Sequence, residues 1–475
     1  MLETLLLGGI AVDRLQQTIC ALATPPGTGG IAVVRVSGAG RLPHGGKRSS
    51  SHSTWDARWP RPRATPPCWA TTCCTGRKWT RLSPSSSALP HSYTGEDVIE
   101  LSIHGGTAMA DGLLEALITA GTAPAGPGEF TRRALEHGRM SLTQAEAVME
   151  VIAANGRQGA ALAKSALDGR LAKRIGAIQT VLQNLNAHLT AWIDYPEEDV
   201  PELSDEHLLK TLGGQKAELD SLIRGYGAGA VLRRGVDCVL LGRPNVGKST
   251  LLNLMAGFDR AIVTPVAGTT RDIVEQAVQL GEIRLNLFDT AGVRDVGADG
   301  DAIEAEGIRR SWKKLDEAGL VLAVFDAAQP LTDADLEIAH RCQNRPALAI
   351  LNKEDLADST ENAAQTLQPY FKKVITLCAK EADSLQPLTD AVAELLGTAQ
   401  LDPGAAQLCS ARQLAAATRA RDAIAEAMKA RQAGFGLDAT GICLTDALQA
   451  LCDLTGEDAS DATIEEVFET FCVGK

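Results

Sequence analysis

The sequence predicts a multidomain chain of mixed class: an α/β domain with a largely parallel sheet set inside a helical-bundle domain, preceded by an α+β domain. Three observations carry that prediction. A glycine-rich loop, Gly242-Arg243-Pro244-Asn245-Val246-Gly247-Lys248-Ser249-Thr250, follows the apolar run Val236 to Leu241 and precedes Leu251, Leu252, Leu254 and Met255 at helical spacing. Two further apolar strands, reaching Leu287 and Leu351, each run straight into a short polar motif, as strands of open α/β sheets do at their carboxyl ends. On both sides of this segment the pattern is helical, and neither helical half has a convincing partner of its own.

Each residue type in the glycine-rich loop has a chemical reason. Glycines let backbone N–H groups turn toward a triphosphate without a Cβ in the way, and the following helix offers the positive end of its dipole to the same anion. Lys248 is expected to reach the β and γ phosphates and Ser249 to ligate Mg²⁺, with Asn245, Val246, Gly247 and Thr250 completing the cradle. Asp289-Thr290-Ala291-Gly292 ends a strand whose apolar residues alternate as Ile283, Leu285 and Leu287. Its carboxylate is therefore expected at the strand end, in the Mg²⁺ shell, with Gly292 near the γ phosphate.

Asn352-Lys353-Glu354-Asp355 ends the strand Ala347 to Leu351 and matches N-K-x-D, whose Asp accepts two N–H bonds that guanine offers and adenine does not. Cys378-Ala379-Lys380, after Val374 to Leu377, stands where GTPases usually carry Ser-Ala-Lys, a loop whose backbone N–H meets the guanine oxygen. Four motifs in this order predict a P-loop GTPase domain of Ras-like type, binding GTP and not ATP.

Composition narrows the partners. The 46 Lys+Arg against 59 Asp+Glu give a net charge of −13, which excludes a broad basic surface gripping nucleic acid nonspecifically. No apolar run approaches the roughly 18 residues that span a bilayer. Leu5-Leu6-Leu7 lacks a basic segment before it, so no signal peptide is expected, and residues 1 to 17 read as an over-extended start. Eleven scattered cysteines without a paired framework suit a reducing cytosol, hence a cytoplasmic protein.

Along the chain, Ile19 to Gly38 reads as two strands around a Pro/Gly turn. Arg41 to Leu89 differs in kind: it has no Val, Ile, Phe, Tyr, Met or Glu, yet holds Trp55, Trp59, Trp69 and Trp79 and nine Lys/Arg against Asp56 alone. Such a stretch is not expected to supply alternating strands. It reads as a reading-frame disruption or as a disordered basic insertion; Cys68, Cys73 and Cys74 fit no zinc spacing. Order resumes at His91, with a strand through Val98 to Leu101, a turn at His104-Gly105-Gly106 and a helix through Leu113, Leu114 and Leu117. Gly126 to Thr131 reads as a helix entry with Thr131 as N-cap. Leu171, Ile175, Ile178, Leu182, Leu185, Leu189 and Trp192 then form a bundle stripe, and the last helix is expected to open with a capping box at Thr463.

With these residues in view, the chain resembles one family, the MnmE (TrmE) tRNA-modification GTPases. The resemblance covers residues 18–40 and 90–475. It rests on Ala23-Thr24-Pro25-Pro26-Gly27, Tyr93-Thr94-Gly95-Glu96-Asp97, Pro127-Gly128-Glu129-Phe130, the GTPase motifs and the terminal Phe471-Cys472-Val473-Gly474-Lys475. It implies a folate-binding and dimerisation domain at 18–140, disrupted over 41–89, a helical domain in two parts at 141–232 and 399–475, and a GTPase domain at 233–398. It further implies a homodimer that joins an MnmG-type FAD protein in a heterotetramer. With tRNA as substrate, that complex adds a carboxymethylaminomethyl or aminomethyl group to C5 of the wobble uridine, using a folate one-carbon unit.

By the same resemblance, Arg35, Glu100, Arg139 and Lys475 contact 5-formyltetrahydrofolate or a related tetrahydrofolate. Arg139 stands where the family often has Lys, which keeps the charge and changes the hydrogen-bond geometry. Cys472 matches a near-terminal cysteine tied to the modification chemistry; without the resemblance, a lone Cys on a terminal amphipathic helix reads as buried packing.

Ras-type enzymes carry a water-orienting Gln after D-T-A-G, but Val293 stands here and can neither donate nor accept. The resemblance implies a substitute: K⁺ held by Asn245 and the loop Thr264, Pro265, Val266, Ala267, Gly268 and Thr269, with two GTPase domains meeting across their nucleotides. Glu304 aligns with the family's water-orienting glutamate and Thr270 with its Mg²⁺ ligand. The competing class is a ribosome-assembly GTPase switch, which usually appends a basic RNA-binding module where this chain has an acidic helical tail.

Overall fold

The computed structural model describes residues 17–38, 70–71, 81–87, 91–194, 204–258, 276–288 and 315–475, with 70–71 and 81–87 as backbone alone. Among these residues the strands are β1 (Ile19–Leu22), β2 (Ile31–Gly38), β3 (Ala70–Thr71), β4 (Arg81–Ser87), β5 (Asp97–His104), β6 (Ala123–Pro124), β7 (Val236–Leu241), β8 (Gln276–Leu280), β9 (Ile283–Phe288), β10 (Leu320–Asp326), β11 (Ala347–Asn352) and β12 (Lys373–Leu377). The helices are α1 (Thr107–Thr119), α2 (Glu129–Glu136), α3 (Leu142–Ala153), α4 (Gly156–Leu167), α5 (Arg170–Asp194), α6 (Asp205–Arg234), α7 (Lys248–Phe258), α8 (Asp333–Cys342), α9 (Glu361–Leu367), α10 (Leu385–Leu395), α11 (Ala411–Gln432), α12 (Leu437–Thr455) and α13 (Asp461–Glu469). No described helix is long and apolar enough to cross a membrane. The chain divides into two units, Met1–Glu146 with Thr455–Lys475, and Ala147–Leu454.

The first unit is α+β, with strand order β3-β4-β5-β2-β1-β6. In β2 the period-two alternation sends Ala32, Val34 and Val36 to one face, where with Cys20 and Ile103 they bury Leu113 and Leu117 of α1. The β2–β5 register pairs Arg35 with Glu100 on the opposite face, and there Ile19 and Ala21 pack on Phe130 of α2.

Three expectations are corrected in this unit. Arg81–Ser87 does form a strand, antiparallel to β5 from Ser83↔Ser102 to Ser87↔Val98. The open edge of β5 is satisfied by backbone groups whatever side chains accompany them. Pro84 lies beyond the β3 pairing, which among the described residues reaches only Arg81 and Leu82, where a missing N–H is tolerated. Apart from Ala70–Thr71 and Arg81–Ser87, the stretch 41–89 lies outside the described residues. The second correction is the start of α2, which is Glu129 behind Gly128 at φ 61. The Glu129 carboxylate accepts the Gly126 N–H at 2.7 Å, so Thr131 is free to lie buried inside the helix, 2.9 Å from the Tyr93 hydroxyl. At the chain's end, α13 is capped by Ser460 and not by Thr463, whose N–H the serine accepts.

The second unit combines the α/β sheet with the bundle. Its strands run β12-β11-β10-β7-β9-β8, and every pairing is parallel except the β8–β9 hairpin. All residues of β10 and β11 are buried, as strands covered on both faces require. One face packs on Leu251 and Met255 of α7 and Leu388 and Val392 of α10; the other packs on Ala339 and Cys342 of α8 and Leu367 of α9. The predicted stripe on α5 is buried from Leu171 to Leu189 together with Leu212 and Leu219 of α6, Ala417 and Ile424 of α11, and Leu444 and Leu451 of α12, whereas Trp192 at its end is only half-buried. Helices from before and after the α/β segment thus share one core, which makes that segment an insertion in a helical bundle. The passage from α6 into β7 turns at Gly235, φ 84, where a Cβ would stand 2.6 Å from the Arg284 carbonyl oxygen.

Candidate functional site: nucleotide cradle and docked C-terminus

The carboxyl ends of β7, β10, β11 and β12 bring the nucleotide motifs together. Gly242, at φ 150, approaches the Val324 carbonyl and Gly247, at φ 100, approaches the Asn352 side-chain amide, both so closely that a Cβ would overlap them. These glycines are needed by contact as well as by conformation. Lys248 opens α7 and donates to the carbonyl oxygens of Gly242 (2.6 Å) and Arg243 (2.7 Å), spanning the mouth of the loop. Ser249 and Thr250 follow in the first turn of the helix, with Ser249 exposed. Arg243 is tied outward: its Nε donates at 2.8 Å to Asp335, a buried carboxylate that also completes the capping box of α8.

Asn352 Nδ2 donates to the Val246 carbonyl (2.8 Å) and its Oδ1 accepts from Ala379 N–H (2.9 Å). One side chain therefore joins the phosphate loop to the Cys378-Ala379-Lys380 loop. Ser384 clips that loop a second time, accepting from Cys378 N–H and donating to its carbonyl. Lys353 donates to the Asn245 carbonyl and to Asp326, each at 2.7 Å. Glu354 and Asp355 lie in an exposed helical turn that leaves the Asp355 carboxylate open to a base. Burial pushes the Cys378 thiol up; the Lys380 backbone opposes this, and the adjoining Asp355 carboxylate adds to it. The thiol therefore stays neutral beside Asp355. Thr264 to Thr270, Asp289 to Gly292, Val293 and Glu304 lie outside the described residues.

Three residues of this site carry no motif: Asp326, Asp335 and Ser384. Asp326 could have been found by the signal that marked Asp289, a carboxylate ending an apolar strand. Ser384 and Asp335 have no comparable local sign.

In the first unit, Arg35 Nε and Nη2 both donate to Glu100 Oε1, at 2.9 and 2.8 Å. The guanidinium also lies 5.9 Å from the Tyr93 ring and 5.6 Å from the Phe130 ring. Burial pushes the Tyr93 phenol up, opposed by its bond to Thr131 and by the Arg35 charge. The C-terminal residues dock beside this pair. Val473 bridges Pro127, the N–H groups of Gly128 and Phe130 donate to the carbonyls of Cys472 (3.3 Å) and Lys475 (3.1 Å), and Arg35 Nη1 donates to the Gly474 carbonyl at 3.4 Å. Arg35, Glu100 and Lys475 are thereby gathered, whereas Arg139 is exposed in the turn after α2, its side chain against Gly95.

Two blocks that carried the resemblance, Tyr93–Asp97 and Pro127–Phe130, meet on Arg133, which sequence reasoning passed over. Fully buried, it bonds both Glu96 oxygens (3.1 and 3.0 Å) and Glu129 (3.0 Å). It thus clamps the Tyr93–Asp97 block to the Pro127–Phe130 block. Cys472 lies past the end of α13, outside any helix, and is exposed. The buried-packing reading of this cysteine does not hold, because the chain leaves the helix at Thr470 and pairs edge to edge with Pro127.

A parallel sheet with its phosphate loop, N-K-x-D turn and Cys-Ala-Lys loop joined at one edge defines a P-loop GTPase domain within a larger helical protein. Residues 142–472 match the family model described as the MnmE helical domain, and residues 18–139 match that of the GTP-binding protein TrmE N-terminus. The chain is 36% identical over 471 residues to the tRNA modification GTPase MnmE of Syntrophotalea carbinolica, covering 96% of this chain and 99% of that one. It is 37% identical over 471 residues to the protein of the same name from Symbiobacterium thermophilum, covering 97% and 100%. The corresponding figures for Natranaerobius thermophilus are 34% over 477 residues, 97% and 100%. The chain belongs to the MnmE (TrmE) family.

Proposed function

We propose that this chain is a GTP-hydrolysing tRNA-modification enzyme, acting as a homodimer with an MnmG-type FAD protein. The complex adds a carboxymethylaminomethyl or aminomethyl group to C5 of the wobble uridine, in the cytoplasm. The observation that carries the reading is the junction of the phosphate loop and both guanine-facing loops through Asn352, in a chain whose other unit holds the terminal Cys472 and Lys475 on Gly128 and Phe130, with Gly474 on Arg35. Full-length similarity to MnmE proteins supports the activity, and the bundle built from both helical halves supports the domain order 18–140, 141–232, 233–398 and 399–475.

In the nucleotide site Lys248 and the Gly247 cradle bind the phosphates, Asp355 and Ala379 read guanine, and Ser249 with Thr270 and Asp289 hold Mg²⁺. Asn245, exposed on the phosphate loop, supplies an amide oxygen for K⁺ beside Thr264, Val266 and Thr269, and Glu304 orients water in place of a Ras-type glutamine. In the other unit Arg35, Glu100, Arg139 and Lys475 contact a tetrahydrofolate. The Arg35 guanidinium, walled by Tyr93 and Phe130, suits the carboxylate or ring of such a ligand, which supplies the one-carbon unit when bound. Cys472 serves the modification step.

The test is complementation of a bacterial strain lacking its MnmE gene, with wobble nucleosides read by mass spectrometry of digested tRNA. Return of the modified uridine is expected; GTP hydrolysis without that nucleoside would leave a GTPase of other purpose.

A further inference from the structure

Three non-glycine residues among those described have positive φ: Asn245 at 62°, Asn344 at 65° and Lys353 at 66°. Two of them touch, because Lys353 Nζ donates to the Asn245 carbonyl. Left-handed backbone at residues with a Cβ persists only where surroundings impose it. The contact between Lys353 and Asn245 is held by a carboxylate the motifs do not contain. Asp326 ends β10 in register with Asn352, is almost wholly buried, and accepts the same ammonium at 2.7 Å with Oδ2, while its Oδ1 accepts the Ala328 N–H at 3.0 Å. Lys353 is thus pinned between a strand end and the phosphate loop. Its neighbour Asn352 holds the next carbonyl of that loop, Val246.

We propose that Asp326 is a positioning residue of the nucleotide site: through Lys353 it holds Asn245 in its left-handed conformation, and so sets the spacing between the phosphate cradle and the guanine pocket. The inference rests on the GTP-site reading. Two consecutive residues of the N-K-x-D turn grip two consecutive carbonyls of the phosphate loop. Phosphate and base are the two ends of one ligand, so a strut between their pockets acts on affinity without touching the ligand. Asp326→Asn is a narrow perturbation, since it keeps an oxygen for Ala328 and turns an N–H₂ toward the ammonium, donor against donor.

The experiment measures the Kd of fluorescent GDP on full-length wild type, Asp326→Asn, Lys353→Met and the double variant, with melting temperature read alongside. Asp326→Asn should weaken GDP about tenfold, and adding it to Lys353→Met should change affinity less than threefold, because the carboxylate acts only through the lysine. A loss under threefold in Asp326→Asn overturns the proposal, whatever happens to the melting temperature. So does a double variant whose loss multiplies the two single losses. Failure of the underlying site reading would look different, as wild-type protein that binds no GDP.

Discussion

Replacing Gly474 by Ala should release the C-terminal tail from the first unit. Gly474 has φ 95, and a Cβ there would overlap the Leu22 carbonyl oxygen, a backbone atom of β1 that cannot swing aside. The left-handed backbone alone costs an alanine ~1–2 kcal/mol, and the overlap adds to it. The tail relieves both by leaving, which forfeits three hydrogen bonds: Gly128 N–H to Cys472, Phe130 N–H to Lys475, and Arg35 to Gly474. At ~0.5–1.5 kcal/mol net for each, the loss is about 3 kcal/mol. Wild type and variant lose these bonds alike on opening, so the rise in opening comes from the strain, and ~1–2 kcal/mol at 1.4 kcal/mol per decade makes it at least about 5- to 30-fold. Hydrogen exchange of the Gly128 and Phe130 amides measures it directly. Gly436→Ala is the control, since nothing lies within 4 Å of a Cβ at that position. Wild-type exchange at Gly128 and Phe130 in Gly474→Ala would refute the docking argument. GTP hydrolysis by the variant should stay near wild type, because the nucleotide loops belong to the other unit.

Further outcomes follow from the two sites. Asp355→Asn should weaken GTP by at least 100-fold, since two bonds to a charged acceptor are worth about 3 to 6 kcal/mol, and should shift preference toward xanthosine nucleotides; retained guanine preference in competition would refute the motif. Exchanging K⁺ for Na⁺ at constant ionic strength should slow hydrolysis at least tenfold, ~1.4 kcal/mol of barrier, and Asn245→Ala should erase the difference; equal wild-type rates in both salts would end the cation reading. Cys472→Ser should keep GTP hydrolysis and abolish wobble modification, and normal modification in the complemented strain would remove Cys472 from the chemistry. Exposed Cys472 should also react with maleimide well before buried Cys342, whose thiol burial pushes up to about 12, as peptide mapping will show. Because that folded pKa is raised, the stability Cys342 contributes is full below the unfolded value of 9.0 and falls as pH rises from there toward about 12. Cys342→Ala should flatten that alkaline decline in a urea titration.

By itself the sequence determined the described strands and loops of the GTPase domain, because each nucleotide motif is a local event. An apolar strand, a loop and a helix lie within about a dozen residues, and the chemistry sits at the junction. Val236–Leu241, Ile283–Phe288 and Ala347–Asn352 appear where their patterns place them. The buried stripe of α5 was legible for the same reason, its period being that of the helix.

Tertiary structure alone decided what lies far apart in the chain. Lys353 and Asp326 are 27 residues apart, Arg133 and Glu96 are 37, and Arg35 and Gly474 are 439. No local pattern records such pairs, since each arises where two separately folded segments share one buried space. The Arg81–Ser87 strand shows the same limit from the other side: its own residues disfavour a strand, and the unfilled edge of β5 makes one. Cys472 was read onto a helix because amphipathic spacing continues to the chain's end, but Gly474 fits against the Leu22 carbonyl only if the last residues leave the helix and pair with Pro127. A backbone contact of that kind depends on which surface the tail meets, and only the folded chain supplies it.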